Sequence, residues 1–142
     1  MISDELNDII SQLKLQGEMD FLSAATEEQI NKFETNNSIS FHQKHKEWLL
    51  FSDGGSCFLP AGIQLYGVAH KPVIDVNDND RPSEDYIVIG ALSTGDPILC
   101  NKTGEQISIY NHEAGKIESD ETYPDFFAFL LSLHDEILGI GG

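Results

Sequence analysis

The amino-acid sequence predicts an α+β fold, with N-terminal helices, a central and mainly antiparallel β-sheet, and a C-terminal helix packed on that sheet. Three observations lead to this prediction. Apolar residues recur at helical spacing behind capping residues in the first third of the chain, short β-branched and aromatic runs follow, and an apolar run behind a proline comes last. The length of 142 residues fits a single domain, 1–142, and no internal repeat is visible.

Two helices are predicted before residue 40. Ser3 can cap the first helix, and Gly17 ends it. The apolar face of this helix is Leu6, Ile9, Ile10 and Leu13. Thr26 and Gln29 have the spacing of a capping box, which predicts the start of a second helix, and Asn36-Asn37 is expected to break it.

The third helix contains the only tryptophan, Trp48. Ser40 and Gln43 have the spacing of a reciprocal cap, and Gly54 suits the left-handed position that closes a helix, with Gly55 leading into a turn. Large apolar side chains on its last turns indicate a buried packing helix: these are Trp48, Leu49 and Phe51.

The second half of the chain has the pattern of a sheet followed by a helix. Strands are predicted at 57–59, 64–68, 86–90, 97–100 and 106–110, and the close spacing with glycine-containing turns favours antiparallel neighbours. The segment Asp75 to Asp85 is predicted to be a long loop. Pro124 suits the start of a helix over Tyr123 to Leu138 that covers one side of the sheet.

Two features bear on the compartment. The chain has no apolar run long enough to cross a bilayer and no basic start of a secretory signal, so a cytoplasmic protein that does not bind membranes is expected. Cys57 and Cys100 both stand beside apolar residues in predicted strands. We expect two reduced, partly buried thiols rather than a disulfide.

The charge balance is strongly acidic, with 24 acidic and 8 basic residues and a net charge of -16. Most of the excess lies after residue 74. Two acidic clusters dominate there, and their charges predict the partner-binding residues Asp75, Asp78, Asp80, Glu84, Asp85, Glu118, Asp120 and Glu121. Such a surface repels nucleic acid and anionic lipid but attracts a basic protein partner. Solubility alone is the other explanation of this acidity.

Searches for catalytic or metal-binding patterns yield little. The stretch Asp75 to Asp80 is rich in oxygen ligands, but the calcium-loop pattern requires glycine where Asp80 stands and glutamate where Tyr86 stands. His42 and His45 could share a metal, although surface histidines are the better interpretation. Cys57 or Cys100 could pair with His112 as nucleophile and base, yet nothing in the sequence brings them together. We therefore expect no enzyme activity, no metal and no cofactor.

An ordered set of short blocks resembles a known family. The blocks are Leu65-Tyr66-Gly67, Tyr86-Ile87-Val88-Ile89-Gly90, Gly95-Asp96-Pro97, Ile107-Ser108-Ile109-Tyr110 and Phe126-Phe127-Ala128-Phe129-Leu130, behind Ala25 to Ile30 and the Trp48 helix. In this order they resemble the SUKH superfamily, the domain of the yeast cell-wall assembly regulator and of many bacterial immunity proteins. One departure is Ser40, where the pattern usually carries proline, and serine can cap the same helix.

The resemblance implies a non-catalytic immunity protein that binds and neutralises the toxic domain of a bacterial polymorphic toxin, with a basic nuclease as a coherent partner. The alternative is a regulatory interaction scaffold of the cell-wall assembly regulator type. Residues that match the shared pattern are expected to maintain the fold: Trp48, Asp53, Gly54, Gly55, Gly90, Gly95 and Asp96. Contact residues do not carry over, because they vary with the toxin.

Overall fold

A computed structural model of the chain describes residues 3–57, 63–69, 73–74, 85–92, 95–102, 105–111 and 113–132, with residues 118–121 described by their backbone. Within these residues, three helices precede most of a seven-stranded sheet, and a further helical segment follows it. This arrangement is the predicted α+β fold.

The first helix, α1, spans Asp4–Gln16 and has the predicted cap and face. The Leu6 amide donates to Ser3 Oγ at 3.2 Å, and Asp4 and Glu5 lie in the first turn, where the helix dipole favours negative charge. The helix ends at Gly17, whose amide donates to the Leu13 carbonyl. Its four predicted apolar residues are buried in the core: Leu6, Ile9, Ile10 and Leu13.

The second helix, α2, spans Glu27–Asn37 and begins with the predicted capping box. The Gln29 amide donates to Thr26 Oγ1 at 3.1 Å, and the Thr26 amide donates to Gln29 Oε1 at 2.9 Å. The helix ends at Asn37, and the following residue, Ser38, adopts a left-handed φ of 54°. In contrast to α1, this helix buries few residues, and Ile30 is its fully buried side chain.

The third helix, α3, spans Gln43–Phe51, and its predicted cap was wrong. His42 is the capping residue, since its Nδ1 accepts a hydrogen bond from the Lys44 amide at 3.3 Å. Ser40 lies outside the helix. The reason is a tertiary contact: the Phe41 amide donates to a carboxylate oxygen of Glu34 in α2 at 2.7 Å, which holds this segment against α2 before the helix starts.

The C-terminal end of α3 also differs from the prediction. The helix stops at Phe51, and Ser52 follows in an extended conformation, so Gly54 does not close the helix. Gly54 and Gly55 do have positive φ values, of 98° and 125°. Gly54 lies in the turn between α3 and the next strand and Gly55 is the first residue of that strand, where backbone from other segments approaches closely.

Seven strands form one sheet in the described part of the chain. They are β1 (Met19–Asp20), β2 (Gly55–Cys57), β3 (Ile63–Leu65), β4 (Tyr86–Leu92), β5 (Pro97–Asn101), β6 (Ile107–Asn111) and β7 (Lys116–Tyr123). Their spatial order is the sequence order, and every neighbouring pair is antiparallel. Four of them, β2, β4, β5 and β6, have bounds within two residues of the predicted ranges, and β3 ends three residues earlier than predicted. Residues 58 and 59 lie outside the described residues.

Two strands were not predicted. β1 has two residues, too few for a periodic pattern, and it exists because Met19 and Asp20 pair with Cys57 and Ser56. β7 reads Lys-Ile-Glu-Ser-Asp-Glu-Thr-Tyr, a polar sequence with low intrinsic strand preference. Pairing with β6 gives it its conformation.

The helical segment at residues 126–132, α4, starts later than predicted. Tyr123 belongs to β7 rather than to the helix, and Pro124 precedes the helix without being part of it. Asp125 caps α4, because its Oδ1 accepts a hydrogen bond from the Ala128 amide at 2.8 Å. The predicted extension to Leu138 lies outside the described residues.

The core lies between the helices and one face of the sheet. Trp48 is fully buried at its centre, with ring centroids of Phe51, Phe21 and Phe126 at 5.5, 5.8 and 6.0 Å. α4 contributes four buried residues to this core: Phe126, Phe127, Phe129 and Leu130. Among the helices in the described part of the chain, none combines the length and apolar character that crossing a bilayer requires.

The Trp48→Ala substitution should lower the free energy of unfolding by about 3 to 5 kcal/mol, because it removes a large, fully buried side chain from a packed aromatic cluster. Urea unfolding followed by circular dichroism measures this change. Trp48→Phe is the matched control and should cost clearly less. If the alanine variant unfolds within about 1 kcal/mol of the parent protein, the described packing around the indole is wrong.

Candidate partner-binding surface

The first acidic cluster lies mostly outside the described residues. Asp75, Asp78, Asp80 and Glu84 are not covered, so their predicted role remains a prediction. Asp85 is described and exposed, in the turn before β4. Its carbonyl oxygen accepts a hydrogen bond from the Lys102 amide at 2.8 Å, which ties this turn to the end of β5.

The second acidic cluster lies on a strand, not in a loop. Glu118, Asp120 and Glu121 belong to β7, the last strand in the described sheet order. The register places Ile117 opposite Tyr110 and Thr122 opposite Ser108. Residues 118–121 therefore stand opposite Ile109 alone, which is a wide irregularity of the β-bulge type. Charges and bulges are common on strands at sheet edges.

Among the described residues, Asp85 of the first cluster does not lie next to the second cluster. Asp85 precedes β4, and β5 and β6 separate this strand from β7. Three strand spacings correspond to about 14 Å. A partner that contacts both Asp85 and β7 therefore needs an interface that spans these strands.

Further exposed carboxylates lie near the N-terminus, outside the two predicted clusters. Seven acidic residues there are exposed: Asp4, Glu5, Asp8, Glu18, Asp20, Glu27 and Glu28. Four of them lie in the first turns of α1 and α2, where carboxylates are stabilised by the helix dipole. The capping motifs at Ser3 and Thr26 could have predicted part of this set, because each is followed by two acidic residues in the first turn of its helix.

Several cations of the first half are engaged within the protein. Lys44 Nζ lies 2.8 Å from Asp125 Oδ2, and Lys46 Nζ lies 3.4 Å from Glu34 Oε2. Lys14 lies over the Phe21 ring, 5.8 Å from its centroid. These positive charges are therefore partly neutralised by the fold, and the exposed acidic residues near the N-terminus have few competing cations.

The ion pair of Lys44 and Asp125 belongs to a larger charge group. The hydrogen bond to Asp125 raises the pKa of Lys44, and the charges of Glu5 and Glu105 raise it further. Burial alone would raise the pKa of Asp125, but hydrogen bonds from Lys44 and the Ala128 amide hold it below its usual 3.8. Residues far apart in sequence thus meet at the start of α3, where His42 also pairs with Glu105.

Asp53, a residue of the family-like pattern, is fully buried after α3. Its Oδ1 accepts a hydrogen bond from the Val68 amide at 2.7 Å, and its Oδ2 accepts one from the Ala69 amide at 2.9 Å. The adjacent Ser52 accepts from the Leu22 amide at 2.9 Å and donates to the Gly54 carbonyl at 2.7 Å. These contacts join three separate segments of the chain around Asp53.

The glycines of the pattern lie where backbone passes close to backbone. A Cβ atom on Gly54 would stand 2.6 Å from the Leu65 carbonyl oxygen, and one on Gly90 would stand 2.5 Å from the Gln64 carbonyl oxygen. Gly95 has a φ of 94° in the turn between β4 and β5, and the Asp96 carbonyl accepts a hydrogen bond from Leu92 in the same turn. Gly54 and Gly90 are buried, whereas Gly95 is exposed in its turn.

The two histidines that were considered as metal ligands differ in burial. His42 is partly exposed, but His45 is buried, so the prediction of two surface histidines was wrong for His45. It faces Phe41 and Phe126 because α3 turns this side toward α4. Cys57 and Cys100 are free and buried, and burial raises the pKa of each thiol to about 12.

These thiols remain protonated at neutral pH and are poor nucleophiles. His112 and the stretch Asp75 to Asp80 lie outside the described residues. Among the residues that the structure describes, no three His, Cys, Asp or Glu side chains are placed to hold a metal ion.

Comparison with known proteins adds one finding. Residues 24–132 match the family described as SMI1 / KNR4 family (SUKH-1). No curated protein matches the chain. The matched range covers α2, α3, the strands β2 to β7 and α4, and it contains Asp53 and the glycines described above.

Replacing Asp53 with asparagine should lower the free energy of unfolding by about 2 to 4 kcal/mol, because a buried carboxylate that accepts from two backbone amides becomes a neutral group with one acceptor oxygen. Chemical denaturation measures the effect. Asp8→Asn, on the exposed side of α1, is the control and should stay within about 0.5 kcal/mol of the parent. Equal stabilities of the two variants would contradict the structural role of Asp53.

Gly54→Ala should destabilise the protein by about 1 to 3 kcal/mol more than Gly115→Ala. Both glycines have a positive φ, but the space around them differs: the nearest atom to a Cβ on Gly115 is 3.9 Å away, against 2.6 Å on Gly54. The comparison therefore isolates the clash with β3 from backbone strain. Thermal unfolding of both variants measures it, and identical melting temperatures would rule out the close approach.

Proposed function

Because the chain belongs to the SMI1 / KNR4 family (SUKH-1), we propose that it is a cytoplasmic, non-catalytic immunity protein. In this proposal it binds the toxic domain of a bacterial polymorphic toxin and blocks its action. The partner is a basic protein domain, and a nuclease with a cationic cleft fits best. The family includes immunity proteins, and the charge of this chain makes that role physically coherent.

The observation that carries the proposal is that exposed acidic side chains outnumber unpaired basic ones in the described part of the first half of the chain. The chain has a net charge of -16. Lys44 and Lys46 lie against Asp125 and Glu34, whereas seven acidic residues between positions 4 and 28 are exposed. The fold therefore presents carboxylates outward while it holds part of its positive charge in internal pairs.

Electrostatic attraction explains how such a surface would serve an immunity protein. A nuclease must present positive charge to phosphates, so its cleft attracts a carboxylate-rich protein surface and loses access to nucleic acid once that surface is bound. Opposite charges also speed the encounter of two proteins, which matters when a toxin has to be captured quickly. Nucleic acid and anionic membranes are unsuited as partners, because the same surface repels them.

The buried positions of the candidate nucleophiles support a binding role. Cys57 and Cys100 have thiol pKa values near 12 and lie in the core, away from any substrate in solution. His45 is also buried. Inhibition by occupying a cleft requires none of these groups.

Co-expression with toxin domains tests the proposal. Cells that produce a basic nuclease toxin domain encoded beside this gene should grow when this protein is present and die when it is absent. Size-exclusion chromatography should then show a complex of the two purified proteins. If the protein neither rescues cells nor binds any such domain, but instead co-purifies with enzymes of cell-wall synthesis, the regulatory scaffold is the correct function.

Charge reversal should locate the interface. We expect the association rate constant to fall with rising salt, because steering acts over about 8 Å at physiological ionic strength. Three double variants carry the same charge change: Asp78→Lys with Asp80→Lys, Asp120→Lys with Glu121→Lys, and Glu27→Lys with Glu28→Lys. The pair at the interface should slow association roughly tenfold, and the other two less.

Stopped-flow or surface-plasmon kinetics at low and high salt measure these rates. Since the net charge changes equally in all three variants, a difference among them reports position rather than overall charge. Rates that are independent of salt and identical in all variants would show that the acidity serves solubility and that the partner binds elsewhere.

A further inference from the structure

His45 lies where α3 meets α4. Its side chain is 2 % exposed, and its ring stacks on Phe126, the first helical residue of α4, with centroids 4.6 Å apart and planes 17° apart. Phe41 contacts the same ring edge-on, with centroids 5.0 Å apart. The imidazole therefore acts as an apolar ring in the packing between the two helices.

The polar atoms of this ring make the packing sensitive to protonation. Nδ1 of His45 is buried and has no hydrogen-bond partner among the described residues. A neutral imidazole tolerates this position, because its unprotonated nitrogen is a weak acceptor that can be left unpaired at moderate cost. In an imidazolium, Nδ1 also becomes an N–H donor and the ring carries a positive charge. Both changes are costly where Nδ1 has no acceptor and the surroundings are aromatic.

The charges that face His45 do not provide such an acceptor. Burial lowers the pKa of His45 to about 3; Asp53 opposes this effect and His42 reinforces it. The carboxylate of Asp53 already accepts hydrogen bonds from Val68 and Ala69. The neighbouring Lys44 on α3 and Asp125 before α4 are paired with each other.

We propose that His45 is an acid-sensitive latch between α3 and α4: uptake of a solvent proton on its ring breaks the stacking on Phe126 and loosens α4 before the rest of the domain unfolds. The ion pair between Lys44 and Asp125 persists between pH 7 and pH 5, since the pKa of Asp125 lies below its usual 3.8. The response to acid therefore comes from His45 and not from this ion pair, and it is independent of the identity of any partner.

The direction of the effect follows from linkage. The pKa of His45 is lower in the folded protein than the 6.5 of an unperturbed histidine. Its contribution to stability is therefore fully present above pH 6.5 and is lost as the pH falls toward the folded value. Between pH 7 and pH 5 this group should reduce the ratio of folded to unfolded protein by about 25-fold.

Urea unfolding at pH 7 and pH 5 tests this inference with two variants. His45→Phe keeps an aromatic ring at the site and removes the titrating group, whereas His42→Gln removes the partly exposed histidine. The parent and His42→Gln should lose about 25-fold more of the folded-to-unfolded ratio than His45→Phe between the two pH values. Equal losses in all three proteins would overturn the proposal.

Two measurements on the unmodified protein do not depend on the folding of a variant. In an NMR titration, the ring signals of His45 should remain those of a neutral imidazole at pH 5, and titration near pH 6.5 would overturn the inference. Amide hydrogen exchange, corrected for intrinsic rates, should lose more protection at residues 128–130 than at residues 9–13 of α1 on acidification. Uniform loss across the domain would exclude a latch confined to α4.

Discussion

The buried carboxylate of Asp53 is the contact on which the arrangement of helices and sheet depends. It follows α3 directly and accepts hydrogen bonds from the amides of Val68 and Ala69, which lie beyond β3. The Asp53 amide itself donates to the Ser23 carbonyl at 3.0 Å. A single residue thereby joins the end of the helical layer, the segment before α2 and the segment after β3. Because its oxygens are removed from water, few other side chains could replace it.

This contact also explains the small residues around it. A side chain on Gly67 would overlap the Asp53 carboxylate, and a side chain on Gly54 would collide with the Leu65 carbonyl. The hydrogen bonds of Asp53 therefore require glycine at positions 54 and 67. The family match spans all of these residues.

Part of the surface charge and the ion pair of Lys44 with Asp125 lie at helix starts. Lys44 lies in the first turn of α3, beside the Asp125 cap of α4, and within reach of Glu5 in the first turn of α1. Carboxylates stabilise these helix ends, and Lys44 relieves their mutual repulsion. Acidic residues farther from this group remain exposed. The same electrostatics that stabilise the helices thus leave the protein with the negative exterior on which its proposed function rests.

Local interactions are what the sequence by itself determined. The caps at Ser3 and Thr26, the buried face of α1 and the antiparallel order of the central strands depend on residues a few positions apart, and all were predicted correctly. The acidic excess and the family resemblance were also available from the sequence. The sequence predicted that the candidate surface is negatively charged, but it did not predict where on the fold the charges lie. Four acids of the first predicted cluster lie outside the described residues, and β7 and Asp85 are separated by two strands.

The tertiary structure decided the features that depend on distant partners. The start of α3 moved from Ser40 to His42 because Glu34 of α2 binds the Phe41 amide. β7 is a strand because β6 pairs with it, although its own residues favour other conformations. His45 is buried because α4 supplies Phe126 to cover its ring. In each case the deciding interaction joins residues that are separated along the chain, and the free energy of such a contact is not encoded in local spacing.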